Sequence, residues 1–119
     1  MLNCADYPVY VIPACFSQLI LAFPTLEPDT DYIVEFTNNL NQVYRIDITS
    51  DSNGEILFAP NEYVNDLFSP FLVRFYKDPN CPPVIFTDCL NNQYTQFELR
   101  IEKYIDQENQ AVVIPCCND

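Results

Sequence analysis

Residues 31–58, DYIVEFTNNLNQVYRIDITSDSNGEILF, constrain this chain more than any other stretch. Tyr32, Val34 and Phe36 alternate with Ile33, Glu35 and Thr37. Past Asn38-Asn39-Leu40-Asn41 the alternation resumes, with Tyr44, Ile46 and Ile48 set against Arg45, Asp47 and Thr49. A second turn, Ser50-Asp51-Ser52-Asn53-Gly54, leads into Glu55-Ile56-Leu57-Phe58. A period of two bounded by Asn, Asp and Gly marks half-buried strands joined by tight turns. The stretch therefore predicts a three-stranded antiparallel meander. Gly54 is the single glycine of the chain. It falls where a hairpin needs positive φ, as in a type I turn with a G1 bulge.

The same pattern continues on both sides. Residues 15–23 read as a strand with Leu19, Leu21 and Phe23 on one face, and 24–31 as a loop with turn chemistry around Pro28. Residues 71–77 are a strong strand, with Phe71, Val73 and Phe75 inward; 84–89 are a shorter one, followed by a turn at 90–93. The longest alternation is 94–105, with Phe97, Leu99 and Ile101 inward and Gln96, Glu98, Arg100 and Glu102 facing water. Residues 60–70 lack the period of two; Asn61 is placed to cap one helical turn carrying Tyr63, Val64, Leu67 and Phe68. Ten prolines disfavour longer helices. The expected fold is all-β: an antiparallel two-sheet sandwich, immunoglobulin-like, of about seven strands and at most one short helical turn. The Cys…Trp…Cys signature of true immunoglobulin domains is missing, since the chain has no Trp. Residues 1–14 are expected to form an extended arm, 15–105 the sandwich domain, and 106–119 a tail with one more short strand at 111–114.

At 119 residues the chain has the length of one domain. Nine Phe and eight Tyr can supply most of one core. A net charge of −12 argues against nucleic acid and against anionic membrane faces, both of which need clustered Lys and Arg. It favours solubility and a basic partner surface. No apolar run is long enough to cross a bilayer. A secretory leader is not expected, because Pro13 and Gln18 interrupt the apolar residues 9–23 and no basic segment precedes them.

Chemistry is sparse. There is no His, so the commonest general base is missing. One glycine cannot build a phosphate-cradling loop. Ser17, Ser50, Ser52 and Ser69 lack a nucleophile-elbow context. Glu98 with Glu102, and Asp29 with Asp31, are spaced to share a strand face, as a glycosidase pair would, but solvated charge is the simpler reading. Residues 51–54 resemble part of a calcium loop, yet positions one and twelve would be Thr49 and Pro60, so the acidic ligands are missing. The six cysteines form no CxxC. Reduced, mostly buried thiols are expected first, then a disulfide such as Cys81–Cys89 across a turn, and last a metal site; a bridge between adjacent Cys116 and Cys117 would be strained. No catalytic residue, cofactor or metal is assigned.

Two binding readings remain. The terminal segments are apolar and Pro-bounded, which suits strand addition to the sheet edge of another chain or of their own. Tyr7, Val9, Tyr10, Val11, Ile12, Val112, Val113 and Ile114 are the candidate partner contacts. Alternatively, the tyrosines Tyr7, Tyr10, Tyr63, Tyr76, Tyr94 and Tyr104 suit a carbohydrate- or cell-surface-binding sandwich.

Several runs resemble one family. Glu27-Pro28-Asp29-Thr30-Asp31-Tyr32-Ile33-Val34, Asn41-Gln42-Val43-Tyr44, Ile48-Thr49-Ser50-Asp51-Ser52-Asn53-Gly54, Pro70-Phe71 and Cys81-Pro82-Pro83-Val84-Ile85-Phe86-Thr87 are similar to segments of small immunoglobulin-like proteins of tailed phages infecting Bacteroides-type bacteria, the crAss-like phages included. The likeness covers roughly residues 15–104; one departure is Gln42, where the family pattern leads one to expect Gly. The resemblance implies a non-enzymatic virion component, an auxiliary or decoration protein on the capsid exterior, assembled in the host cytoplasm and contacting capsid or other virion proteins. It brings no catalytic residues.

Overall fold

Strand β3 (Asp31–Thr37) lies next to the middle of the larger sheet and carries the pattern read above. In the computed structural model, which describes residues 7–103 and 111–115, the described residues form ten strands and no helix. The others are β1 (Val9–Pro13), β2 (Gln18–Leu21), β4 (Val43–Thr49), β5 (Ile56–Phe58), β6 (Phe71–Tyr76), β7 (Phe86–Thr87), β8 (Gln93–Tyr94), β9 (Phe97–Glu102) and β10 (Ala111–Ile114). A five-stranded sheet has the order β1-β9-β6-β3-β4, a three-stranded one β10-β2-β5, and β7 with β8 forms a separate ribbon.

The alternation sorts the faces as expected. Tyr32, Val34 and Phe36 of β3, Phe71, Val73 and Phe75 of β6, and Phe97, Leu99 and Ile101 of β9 are all buried. They share one cluster with Leu19, Leu21, Ile56 and Phe58 from the second sheet. Phe36 meets Phe58 with ring centroids 5.0 Å apart, and Phe23 sits among Phe75, Phe86 and Phe97 at 5.9, 4.5 and 5.1 Å. These tilted and edge-on pairs add to the burial of large apolar rings.

The expected three-stranded meander over 31–58 does not form: β3 pairs with β4, but β5 crosses to the second sheet and pairs with β2, because a period of two does not show which sheet a strand joins. Three further expectations need correction. The strand count exceeds seven, because the terminal segments add β1 and β10 and the long alternation 94–105 is divided. Tyr94 pairs with Phe86 in the β7–β8 ribbon, whereas Phe97 pairs with Val73 of β6. A period of two cannot reveal that a chain changes partners partway. Second, the sheets are not wholly antiparallel: β1 runs parallel to β9 and β10 parallel to β2. Both parallel strands are terminal segments, joined to their partners by long connections, so no hairpin dictates their direction. Third, residues 60–70 form bends and a turn, not a helical turn. Asn61 Oδ1 does accept from the N–H groups of Tyr63 (2.8 Å) and Val64 (3.0 Å), which is cap chemistry without a helix behind it.

One turn design recurs at 38–42, 51–55 and 88–92. In each, the first residue is Asn or Asp, and its Oδ1 accepts from the N–H groups two and four residues on. Asn38 takes Leu40 and Gln42 (2.9 Å each), Asp51 takes Asn53 and Glu55 (2.9 Å each), and Asp88 takes Leu90 (2.9 Å) and Asn92 (3.0 Å). The fourth residue adopts positive φ: Asn41 at 62°, Gly54 at 80°, Asn91 at 68°. This is a type I turn with a G1 bulge, held by an Asx side chain. In the first turn Asn41 takes the left-handed position, so Gln42 needs no glycine-like freedom. Only the middle turn demands glycine on steric grounds, because a Cβ at residue 54 would lie 2.4 Å from the Leu26 carbonyl oxygen.

Gly54→Ala should therefore destabilise the fold by about 2 kcal/mol or more, through left-handed strain and the clash with Leu26. Urea unfolding of the two proteins measures it.

Candidate functional site

The 38–42 turn does not stand alone. Asn39 donates its backbone N–H to the Phe68 carbonyl (3.2 Å) and its side-chain NH2 to the Ser69 carbonyl (3.0 Å). The turn is thus stitched to the 60–70 loop, and a cleft of about 280 Å³ opens between them. Its floor includes Phe36 and Phe71, its walls Tyr44, Tyr63 and Phe68, and its rim Asn38 and Gln42. Tyr44 and Tyr63 are stacked, with centroids 4.8 Å apart and planes 24° from parallel. Tyr63 remains 52% exposed, and Leu40, Val43 and Leu67 at the same end are also exposed. Glu62 beside it pushes the Tyr63 phenol up, by its charge first and then by hydrogen bonding. Among the rim amides, Asn38 Nδ2 donates to Gln42 Oε1 (3.0 Å).

Sequence reasoning singled out Tyr63 but placed Tyr44 in the core alternation. Tyr44 is both: half-buried on the inward face of β4, an edge strand, with its ring reaching the cleft. The signal that was available is the position of β4 after a turn, where the inward face of an edge strand is only partly covered.

The candidate contacts separate by face. β1 and β10 are edge strands of the two larger sheets, so both terminal segments fold back onto their own chain. Ile12 and Ile114 are buried, Tyr10 packs edge-on against Phe23 and Phe97, and Val112 is half-buried. Burial, then the nearby Asp88 and Tyr94, raise the Tyr10 phenol to about 12. Val9, Val11 and Val113 are exposed, and Tyr7 lines a shallow groove beside Pro70 and Glu98. Tyr76 stacks under Arg45 with 5.9 Å from guanidinium carbon to ring centroid, and Tyr94 is tied to Asp88. Tyr104, Cys4, Cys116 and Cys117 lie outside the described residues.

Four of the polar residues weighed as catalytic, Ser50, Ser69, Glu98 and Asp31, have structural partners. Ser50 is buried; its hydroxyl donates to the Glu27 carbonyl (2.5 Å) and accepts from the Thr30 N–H (2.9 Å). Ser69 Oγ accepts from the Ile101 N–H (2.8 Å). Glu98 accepts from Arg100 Nε (2.5 Å), and Asp31 accepts from Thr49 Oγ1 (2.6 Å). Asp51, first acid of the calcium-like run, spends its Oδ1 on the turn. No group of three or more potential metal ligands occurs among the described residues. The expectation of buried, reduced thiols is corrected. Cys15, Cys81 and Cys89 are all exposed, and Cys89 is disulfide-bonded. Its partner is not Cys81, which is a free thiol. Exposure follows from their placement in turns and loops.

One buried acid escaped sequence reasoning, which set it only on the face opposite Tyr32, Val34 and Phe36. Glu35, in β3, is 4% exposed. Its cross-strand neighbours are Arg45 in β4 and Arg74 in β6. Arg45 donates through Nε (2.9 Å) and Nη2 (2.8 Å) to Oε2, and Arg74 Nη1 stands 3.6 Å from Oε1. Arg74 Nε in turn donates to Gln96 Oε1 (2.9 Å). The carboxylate is covered by its own partners, whose far ends reach water.

Comparison with protein-family models, curated proteins and solved structures returns no match.

Removing the near partner of a buried carboxylate leaves it desolvated and under-bonded, whereas neutralising Glu35 leaves two arginines free to hydrate. Arg45→Ala should cost about 1–3 kcal/mol and Glu35→Gln less than about 1 kcal/mol; chemical unfolding checks the order. Asp88 gives a pH dependence. Hydrogen bonds from Asn92 and Leu90 hold its carboxyl below its ordinary value of 3.8. A depressed folded pKa stabilises above the unfolded value and loses that contribution as pH falls through the folded value. The protection of the Leu90 and Asn92 amides, measured against intrinsic exchange at each pH, should therefore fall on acidification below 3.8, and Asp88→Asn should flatten that dependence.

Proposed function

We propose that the protein is a non-enzymatic attachment component of a virion, an auxiliary protein on the exterior of a phage capsid, carried on an immunoglobulin-like two-sheet sandwich. The sandwich reading is supported by strand order. The β9-β6-β3-β4 run resembles the G-F-C-C′ series of variable-type domains, and β2 paired with β5 resembles B with E. The shared buried cluster between the larger sheets is what such a sandwich needs.

The observation that carries the attachment reading is the use of the terminal segments. Both become edge strands of the larger sheets, and both turn apolar side chains outward: Val9 and Val11 from β1, Val113 from β10. Exposed apolar residues on open edges are a hazard for a protein that stays alone and an asset for one that docks. The charge of −12 suits an exterior position, since an interior one would face packaged DNA. The second reading, a carbohydrate- or cell-surface-binding module, is favoured by the Tyr44–Tyr63 cleft and is compatible with an exterior virion position.

Mass spectrometry of purified particles from a producing culture should find this chain at a fixed copy number relative to the capsid subunit. Consistent absence overturns the virion assignment. Val11→Glu with Val113→Glu should lower particle-bound protein while the melting temperature of the free domain changes little.

A further inference from the structure

The cleft at the 38–44 and 60–70 end differs from the acidic faces, and from a second uncharged cleft beside Ile85, Gln93, Tyr94 and Thr95 in having a stacked ring pair. The molecule carries −12, yet the residues lining this cleft are aromatic, aliphatic or amide, with no charged side chain among them. A cationic peptide would be drawn to the acidic faces and an anion repelled from the whole. At about 280 Å³ the cleft is near the lower bound of small-molecule sites, roughly 300 Å³. It is too small to seat a partner helix, whose diameter with side chains is about 10–12 Å.

Its chemistry is two-sided. One face of the Tyr63 ring is covered by Tyr44, so its 52% exposure comes from the other face and the ring edge. A flat ring held from behind and open in front is a platform whose ordering cost is already met. Beside it, Gln42 Oε1 is engaged by Asn38, while the Gln42 NH2 and the Tyr44 hydroxyl have no partner among the described residues. A ligand suited to this needs an apolar face, hydroxyls at its edge and no charge. A larger cleft beside Asp31, Asp47 and Lys77 lacks that character, because Asp31 is bonded to Thr49 and Lys77 is paired with Glu27.

We propose that this cleft binds an uncharged saccharide, stacked on the open face of Tyr63 and hydrogen-bonded by the Gln42 carboxamide and the Tyr44 hydroxyl. The assignment rests on the reading of the chain as an attachment module and not on its place in a virion. Tyr44 stands in β4 just after the 38–42 turn and Tyr63 in the 60–70 loop, and Asn39 ties that turn to that loop, so the platform is preformed.

The test is a titration of the full-length, isotopically labelled protein with maltotriose, cellobiose, mannobiose, lactose and chitobiose, with sialyllactose as the charged control, followed by amide NMR shifts. At least one neutral sugar should shift Leu40, Gln42, Tyr44, Tyr63 and Phe68 with a Kd near the millimolar range. Tyr63→Ala should weaken binding about tenfold and Gln42→Ala about threefold, while Tyr63→Phe, which keeps the stack, should bind as the parent does. No shift from any neutral sugar up to ~50 mM overturns the proposal, as do shifts confined to another surface, equal binding by Tyr63→Ala, or preference for sialyllactose. Absence of the chain from virions would leave these outcomes untouched, so the two readings fail separately.

Discussion

The five-residue Asx turn is the constraint on which the hairpins of this protein depend. A hairpin with a period of two has a binary choice of face, and a slip of one residue would turn Ile33, Glu35 and Thr37 into the core and Tyr32, Val34 and Phe36 out of it. In the 38–42 turn, Asn38 captures two backbone N–H groups and Asn41 takes the left-handed conformation, which sets β4 against β3 in one register. The 88–92 turn repeats this between β7 and β8, whereas the 51–55 turn has the same design but sends the chain from β4 in one sheet to β5 in the other. Asn or Asp supplies the acceptor, and either Asn or Gly supplies the positive φ, so the design needs little glycine. That explains how an all-β chain manages with one.

With register set, burial follows. Aromatic rings from both larger sheets converge on one cluster, with Phe23, on the segment after β2, in contact with Phe75, Phe86 and Phe97. Phe86 brings the small β7–β8 ribbon into the same packing, so a third sheet adds no second core. On the opposite face, Glu35 under Arg45 and Arg74 ties β3 to both neighbours. Three ionic side chains across three strands favour one alignment over its neighbours, because a slipped pairing would set the buried carboxylate against uncharged residues.

The candidate site is what the hairpins leave over. β4 ends the five-stranded sheet, so the inward side chains near its start are covered by a loop and not by another strand. That loop, 60–70, is held by Asn61 and Asn39 and leaves an aromatic cleft. At the sheet edges, the terminal strands bury Ile12 and Ile114 and present Val9, Val11 and Val113. The exposed apolar and aromatic groups therefore lie on edges and a loop, while the sheets between serve as the frame.

Strand positions, the inward set Tyr32, Val34, Phe36, Phe71, Val73, Phe75, Phe97, Leu99 and Ile101, and the turn at Gly54 were legible in the residues alone. All depend on neighbours within a few positions: side-chain alternation, and the backbone conformation a turn demands. What the residues alone left open concerns partners distant in the chain. The division of 94–105 between β8 and β9, the parallel docking of β1 and β10, the burial of Glu35, and the meeting of Tyr44 with Tyr63 each depend on which strand or loop arrives alongside. Local alternation is blind to that choice. It is decided by which pairing of the whole chain closes one aromatic core while leaving every buried polar group a partner.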